Sequence, residues 1–300
     1  MSDRPPLSTA QALGLMLLAA FLWGLSFPTI KAMAGAFPPI TLAALRGAVS
    51  ALTLLLWFSL MRQDLLPRSK REAFDWLILG ALNGWIANLL VAYAMQSLPA
   101  GKAAMIQACG PLITALIASQ LFADERISPR RLFGILVGLG GVALLIGPRL
   151  FGEAATPLAA TAMVGVAVSY ALGNIYVRLL PVAEPKRLAL GQQVMSGIFA
   201  SCLAMAIPGP SSLAALPQQV HLVLVMGVVS TAAPMVLYMI AIRALGPTRA
   251  SMTGYLVPAW AVILSALLLG EAIAPREAIA GLIILAGVYL VTAARKAGNA

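Results

Sequence analysis

Ten runs of about 20 apolar residues, each broken by a short polar or Pro/Gly-containing stretch, set the pattern of this chain. They predict helices near 11–33, 39–60, 75–97, 101–122, 130–147, 157–180, 187–207, 219–244, 248–269 and 276–294, five in each half. At 1.5 Å rise per residue, a run of about 20 residues crosses the roughly 30 Å hydrocarbon core of a bilayer. Arg4 before the first run and Ala32-Met-Ala34 after it imitate a signal peptide. The match of this run to the sixth one argues against its removal.

The order of the runs repeats. Shifted by 147 residues, Leu98–Pro111 falls on Leu245–Pro258, with Lys102 on Arg249, Met105 on Met252 and Pro111 on Pro258. Trp23 falls on Tyr170, Lys31 on Arg178, Pro38 on Pro185 and Gly80 on Gly227. The expected division is 1–150 and 151–300, one five-helix repeat each. Duplicated membrane chains of this kind build transporters around a site between the repeats.

Composition agrees: 61% of residues are hydrophobic, 10% are charged, and mean hydropathy is +0.93. No soluble core needs that excess. A net charge of +10 would suggest nucleic acid in a soluble protein, but here the bases sort by membrane side. With the N-terminus inside, the inner segments hold 15 of the 20 Lys and Arg residues, and the outer ones hold Lys31, Lys102, Arg149 and Arg276. Five helices per repeat is an odd number, so equivalent loops should face opposite sides. The loop after the second helix carries four bases and its counterpart after the seventh carries none. The expectation is a multi-pass protein of the cell inner membrane with both termini cytoplasmic and the two repeats inverted.

The Trp23-Gly24 pair, Arg46, the basic-small-Pro pattern of the fourth and ninth helices, and the acidic ends Asp124-Glu125 and Glu271 together resemble the drug/metabolite transporter superfamily. The likeness takes the form of two EamA repeats over nearly the whole chain. Within the superfamily the chain is most similar to YddG-like amino-acid and metabolite exporters. The resemblance implies an all-α membrane protein of ten helices around a central cavity, and export by alternating access without ATP. It implies amino acids, aromatic ones included, as substrates.

Candidate substrate-binding residues are the polar and aromatic positions inside spans: Trp23, Asn83, Asn88, Tyr170, Asn174, Ser230, Tyr238 and Tyr255. In the eighth helix, Ser230, Thr231, Pro234 and Tyr238 fall on one face at i, i+3/i+4 spacing. Such a lining suits a medium-sized amphipathic solute. The same residues also serve as interhelical hydrogen bonders, worth about 0.6 kcal/mol each. Pro111 and Pro258 are candidate hinges, because each removes a helical hydrogen bond; static kinks read equally well. Arg46 is the buried charge of the second span, where an unpaired charge costs at least about 2.5 kcal/mol. It either meets an anionic group in a wet cavity or caps carbonyls structurally. Trp57 and Trp76 flank the basic loop as expected interfacial anchors.

Other chemistry is sparse. Cys109, Cys202 and a single His have no ligand spacing, so no metal is expected, and no Walker loop is present. No cofactor is expected. All ten carboxylates fall in loops or at helix ends, which speaks against an embedded enzyme and against a proton relay. The expected partners are a small-molecule substrate and the lipid bilayer, with no nucleic acid. The function reading is a uniporting exporter; a nucleotide-sugar, lipid or drug carrier of the same superfamily and a channel are the competing readings.

Overall fold

The structure is a computed structural model that describes residues 8–122, 128–146, 155–180, 184–250 and 253–298. Helices α1 (Thr9–Met33) and α2 (Pro39–Leu60) are followed by α3 (Lys70–Gly80) and α4 (Ile86–Ala94), joined by a π-helical segment at Ala81–Trp85. Next come α5 (Ala100–Gln107), α6 (Gly110–Leu121) and α7 (Pro129–Ile146). The second half holds α8 (Ala155–Leu179), α9 (Pro185–Ala206), α10 (Leu216–Leu224), a π-helical segment at Val225–Ala232, α11 (Ala233–Ala250), α12 (Thr253–Leu269) and α13 (Pro275–Gly298). No strand occurs among the described residues. Seven helical segments there are long and apolar enough to cross a membrane, and Leu132–Leu145 and Leu256–Leu269 are shorter apolar helices.

Several boundaries differ from expectation for local reasons. The third span starts at Lys70 rather than 75, because Ser69 Oγ accepts the Glu72 N–H at 3.1 Å and caps an amphipathic first turn. The fourth span is two helices. Pro111 has no N–H to give the Gln107 carbonyl, α5 ends at Gln107, and Pro111 lies in the first turn of α6. Pro258 stays inside a continuous α12, so the two expected hinges differ in form. The eighth span continues to Ala250 instead of ending at 244.

The halves interlock. α1 packs on α11 and α12 of the second half, while α8 packs on α4, α5 and α6 of the first. α2 lies along α9 where Gly47 meets Gly197: a Cβ on Gly47 would stand 3.0 Å from the Gly197 backbone. α7 and α13 meet at Gly138 and Gly287. Small residues bring backbones close enough for dispersion to hold helices together in lipid, where no hydrophobic force drives them to associate. Trp76 is a correction. It is 1% exposed and stacks on Gly191 of α9, so it is a packed core residue and not an interfacial anchor, whereas Trp57 is exposed.

Candidate solute pathway

The two π-helical segments occupy the same place in the 147-residue repeat, since Gly80, just before the first, matches Gly227 inside the second. Each carries i→i+5 hydrogen bonds: Ile86 N–H to the Ala81 carbonyl, and Ala233 N–H to the Val228 carbonyl. Such a turn leaves carbonyls without their α-helical donors, and side chains take them up. Ser169 Oγ of α8 donates to the Leu82 carbonyl at 2.6 Å. Ser230 and Thr231 hydroxyls both donate to the Met226 carbonyl, at 3.1 and 2.7 Å.

With its proton committed to Met226, Thr231 offers a lone pair to α2. Arg46 Nε donates to Thr231 Oγ1 at 3.1 Å, across 185 residues of sequence. Among the described residues this is the one hydrogen bond of the guanidinium. The guanidinium lies deep in the bundle, and the residue as a whole is half-buried. Tyr170 of α8 lies within electrostatic reach of it. The repeat equivalents of Arg46 and Thr231 are Gln193 and Gly84. Gln193 Oε1 instead accepts the Ser50 hydroxyl at 2.9 Å, so the arrangement is not duplicated.

One face of α8 changes character along its length. Met163 and Ala167 are fully buried, Tyr170 is half-buried, and Asn174 and Arg178 on the same face are exposed. The opposite face carries exposed Leu158, Leu172 and Leu179, as a lipid-facing stripe should. Tyr170, Asn174 and Arg178 therefore form an accessible polar stretch distinct from the leucine-bearing face. On α1 the matched residues are Trp23, Phe27 and Lys31; Phe27 is 5% exposed and Lys31 Nζ is tied to the Met95 carbonyl at 2.9 Å. The packing follows suit: α2 lies along α4, whereas the matched pair α9 and α11 barely touches.

The remaining expected residues separate into two kinds. Trp23 and Tyr238 come together, ring centroids 5.5 Å apart. Asn83 presses on Gly173 of α8, and its buried Oδ1 has no hydrogen-bond partner among the described residues. Asn88 is buried in α4, and Ser230 is fully buried with its hydroxyl turned to its own helix. The side chain of Tyr255 lies outside the described residues, as do Asp124-Glu125 and Arg149.

Both ends of the bundle are tied by charge. At one end Arg187 of α9, 5% exposed, grips Glu72 of α3 through Nε at 2.6 Å and Nη2 at 2.9 Å, and donates to the Leu66 carbonyl at 2.8 Å. Arg68 bridges Asp64 and Glu184, while Tyr176 donates to Asp75 at 2.7 Å. The Arg68 hydrogen bond holds the Asp64 carboxyl below its usual range. At the other end Gly270, at φ +66, ends α12 in the left-handed turn that glycine adopts freely. That turn aims Glu271 across to α5, where its carboxylate accepts the Ala100 and Gly101 N–H groups at 2.6 and 2.9 Å. Lys102 pairs with Glu277 there at 2.7 Å. Apart from the local Asp64–Arg68 pair, these clamps were not legible in the sequence, because their partners lie more than 100 residues apart.

A helical bundle with long apolar spans, exposed leucine stripes and an interior arginine near an accessible polar stretch has the character of a polytopic membrane protein. The profile of the EamA-like transporter family matches the chain twice, at residues 11–147 and 157–293, and the chain belongs to that family. By that membership it is a membrane transporter. It is 31% identical over 290 residues to the uncharacterized inner membrane transporter YedA of Escherichia coli K12, covering 93% of this chain and 90% of YedA. It is 25% identical to a probable amino-acid metabolite efflux pump of Salmonella typhimurium, over 92% of this chain and 93% of the pump. One solved crystal structure superposes with a TM-score of 0.67 at 18% identity, over 96% of this chain and 99% of the other, which shows the fold alone.

Proposed function

We propose that the protein exports small amphipathic metabolites, amino acids and aromatic ones among them, across the inner membrane by alternating access. Residues 1–150 and 151–300 act as inverted five-helix repeats, ten spans in all, with both termini cytoplasmic. Trp23, Asn83, Asn88, Tyr170, Asn174, Ser230, Tyr238 and Tyr255 contribute to the cavity wall, and Pro111 and Pro258 accommodate the movement of the fourth and ninth spans. The observation that carries this reading is the α8 face, sealed at Met163 and Ala167 and accessible at Asn174, against the buried counterpart Phe27. A passage accessible at one end and sealed at the other fits a carrier in an inward-facing state; a conducting channel needs both ends open at once. The efflux-pump relative and YedA support the substrate class and the membrane.

Transport is uniport. Asp64, Glu72, Asp75, Glu184, Glu271 and Glu277 all sit at the ends of the bundle, which leaves no mid-membrane carboxylate among the described residues to relay a proton. In proteoliposomes, labelled phenylalanine or leucine should show saturable exchange accelerated by the same amino acid on the far side. Non-saturable flux without trans-stimulation would instead identify a channel.

A further inference from the structure

Arg46 stands about 11 Å along α2 from Pro39, at 1.5 Å per residue, with no ion pair among the described residues. The carboxylates nearest the pathway ends are engaged elsewhere: Glu72 by Arg187, Asp75 by Arg71 and Tyr176, Glu271 by the α5 N-terminus, and Glu277 by Lys102. A guanidinium stays charged at any physiological pH. A solute anion can therefore supply the compensation that the described residues do not.

The geometry sets what can enter. Thr231 holds Nε, because the π-helical turn orients its hydroxyl proton to Met226 and its lone pair to α2. Nη1 and Nη2 make no hydrogen bond among the described residues, and the edge they form binds a carboxylate through two parallel hydrogen bonds. Tyr238 follows Thr231 by seven residues, which places the Trp23–Tyr238 aromatic pair about 10 Å further along the same helix line. That spacing matches a carboxylate at one end of a solute and an apolar or aromatic group at the other. Gln193 and Gly84 in the matched positions provide no second cation.

Resting on the export reading above, we propose that Arg46 is the carboxylate contact of the transport site, and that the solutes carried bear one carboxylate next to an apolar body. The Arg46–carboxylate pair discriminates by charge-assisted hydrogen bonds, which are worth about 10- to 100-fold in affinity.

The test is competition against labelled phenylalanine exchange in proteoliposomes of the full chain. Phenylalanine and 3-phenylpropionate should compete, while phenylalaninamide and phenethylamine should be about 10- to 100-fold weaker. Arg46→Gln should abolish that discrimination while eluting as a monodisperse species in detergent. Thr231→Val, which releases Nε, should raise KM more than it lowers the maximal rate. Arg46→Lys keeps the charge without the fork and should retain part of the preference. It also serves as the second variant where Arg46→Gln does not fold. Equal competition by acid and amide in the wild type, or intact discrimination in Arg46→Gln, overturns this inference and leaves the export reading standing. Absence of saturable exchange for every amino acid and acid tried overturns the export reading, and this inference with it.

Discussion

Removing the Glu271 carboxylate gives a direct measure of how the tie between α5 and the α12–α13 turn sets the balance between states. Its two oxygens accept backbone N–H groups of Ala100 and Gly101 at 2.6 and 2.9 Å, joining the α12–α13 turn of one half to the first turn of α5 in the other. Loss of a helix N-terminal acceptor costs about 0.5–2 kcal/mol, and hydrogen bonds to a charged group lie towards the upper part of that range. Glu271 is partly exposed, which argues for about 1.4 kcal/mol, a factor of about ten in an equilibrium constant. If the bond forms only while that end is closed, Glu271→Ala shifts the population towards the opposite opening by the same factor. The reporter is Phe27→Cys, buried in the state described, in a chain whose Cys109 and Cys202 are replaced. A membrane-impermeant maleimide added outside should label it about ten times faster when Glu271→Ala is present. Glu271→Gln, which keeps an acceptor but not the charge, should fall between. An unchanged labelling rate with a lowered Tm would refute the state-dependent seal and leave only a fold-stabilising cap.

Cysteines placed at exposed Ser69 and Ser211 should be labelled from opposite sides of intact cells, and labelling of both from the periplasm would contradict the inverted arrangement. Gly197→Val should lower folded yield sharply, since its Cβ would stand 3.0 Å from the Gly47 backbone, and a normal melting profile would show that α2 and α9 can separate without loss. Arg187→Ala leaves Glu72 half-buried without its partner and should destabilise by about 3–5 kcal/mol, visible as a lower Tm in detergent. The Asp64–Arg68 pair should respond to salt but not to pH near neutrality. A lowered carboxyl pKa gives stabilisation that is fully present above the ordinary aspartate value of about 3.9 and fades only as pH falls through the lowered one. A transition of this end between pH 6 and 8 that vanishes in Asp64→Asn would overturn that assignment.

The spans and the duplication were readable because lipid demands long apolar runs, and a repeat preserves its spacing whatever its contacts. Phase within a span was less secure. Ser230, Thr231 and Tyr238 read as one face at α-helical period, yet the π-helical turn directs Ser230 to its own backbone and Thr231 to Arg46. Asn83 likewise presses on Gly173, a contact that depends on a glycine 90 positions away. Trp76 looked interfacial because it follows a basic loop; the missing side chain at Gly191 is what gives it a buried place. The 147-residue shift sets Asn174 on Phe27, yet one is exposed and the other buried, a difference that depends on how each helix packs and that spacing alone does not carry.

The paired π-helical turns also work as shims. Each residue of an α-helix advances the azimuth by about 100°, so one surplus residue in a regular helix would turn everything beyond it by that amount, whereas a π-helical turn takes up the surplus locally. Trimming Val228 would let the segment relax into regular α-helix with Tyr238 still against Trp23 and α10 still seated on α2. The same excision in the first half, at Leu82, would leave α4 in place beneath α8. One residue removed from a regular stretch of either span would instead swing every side chain beyond it.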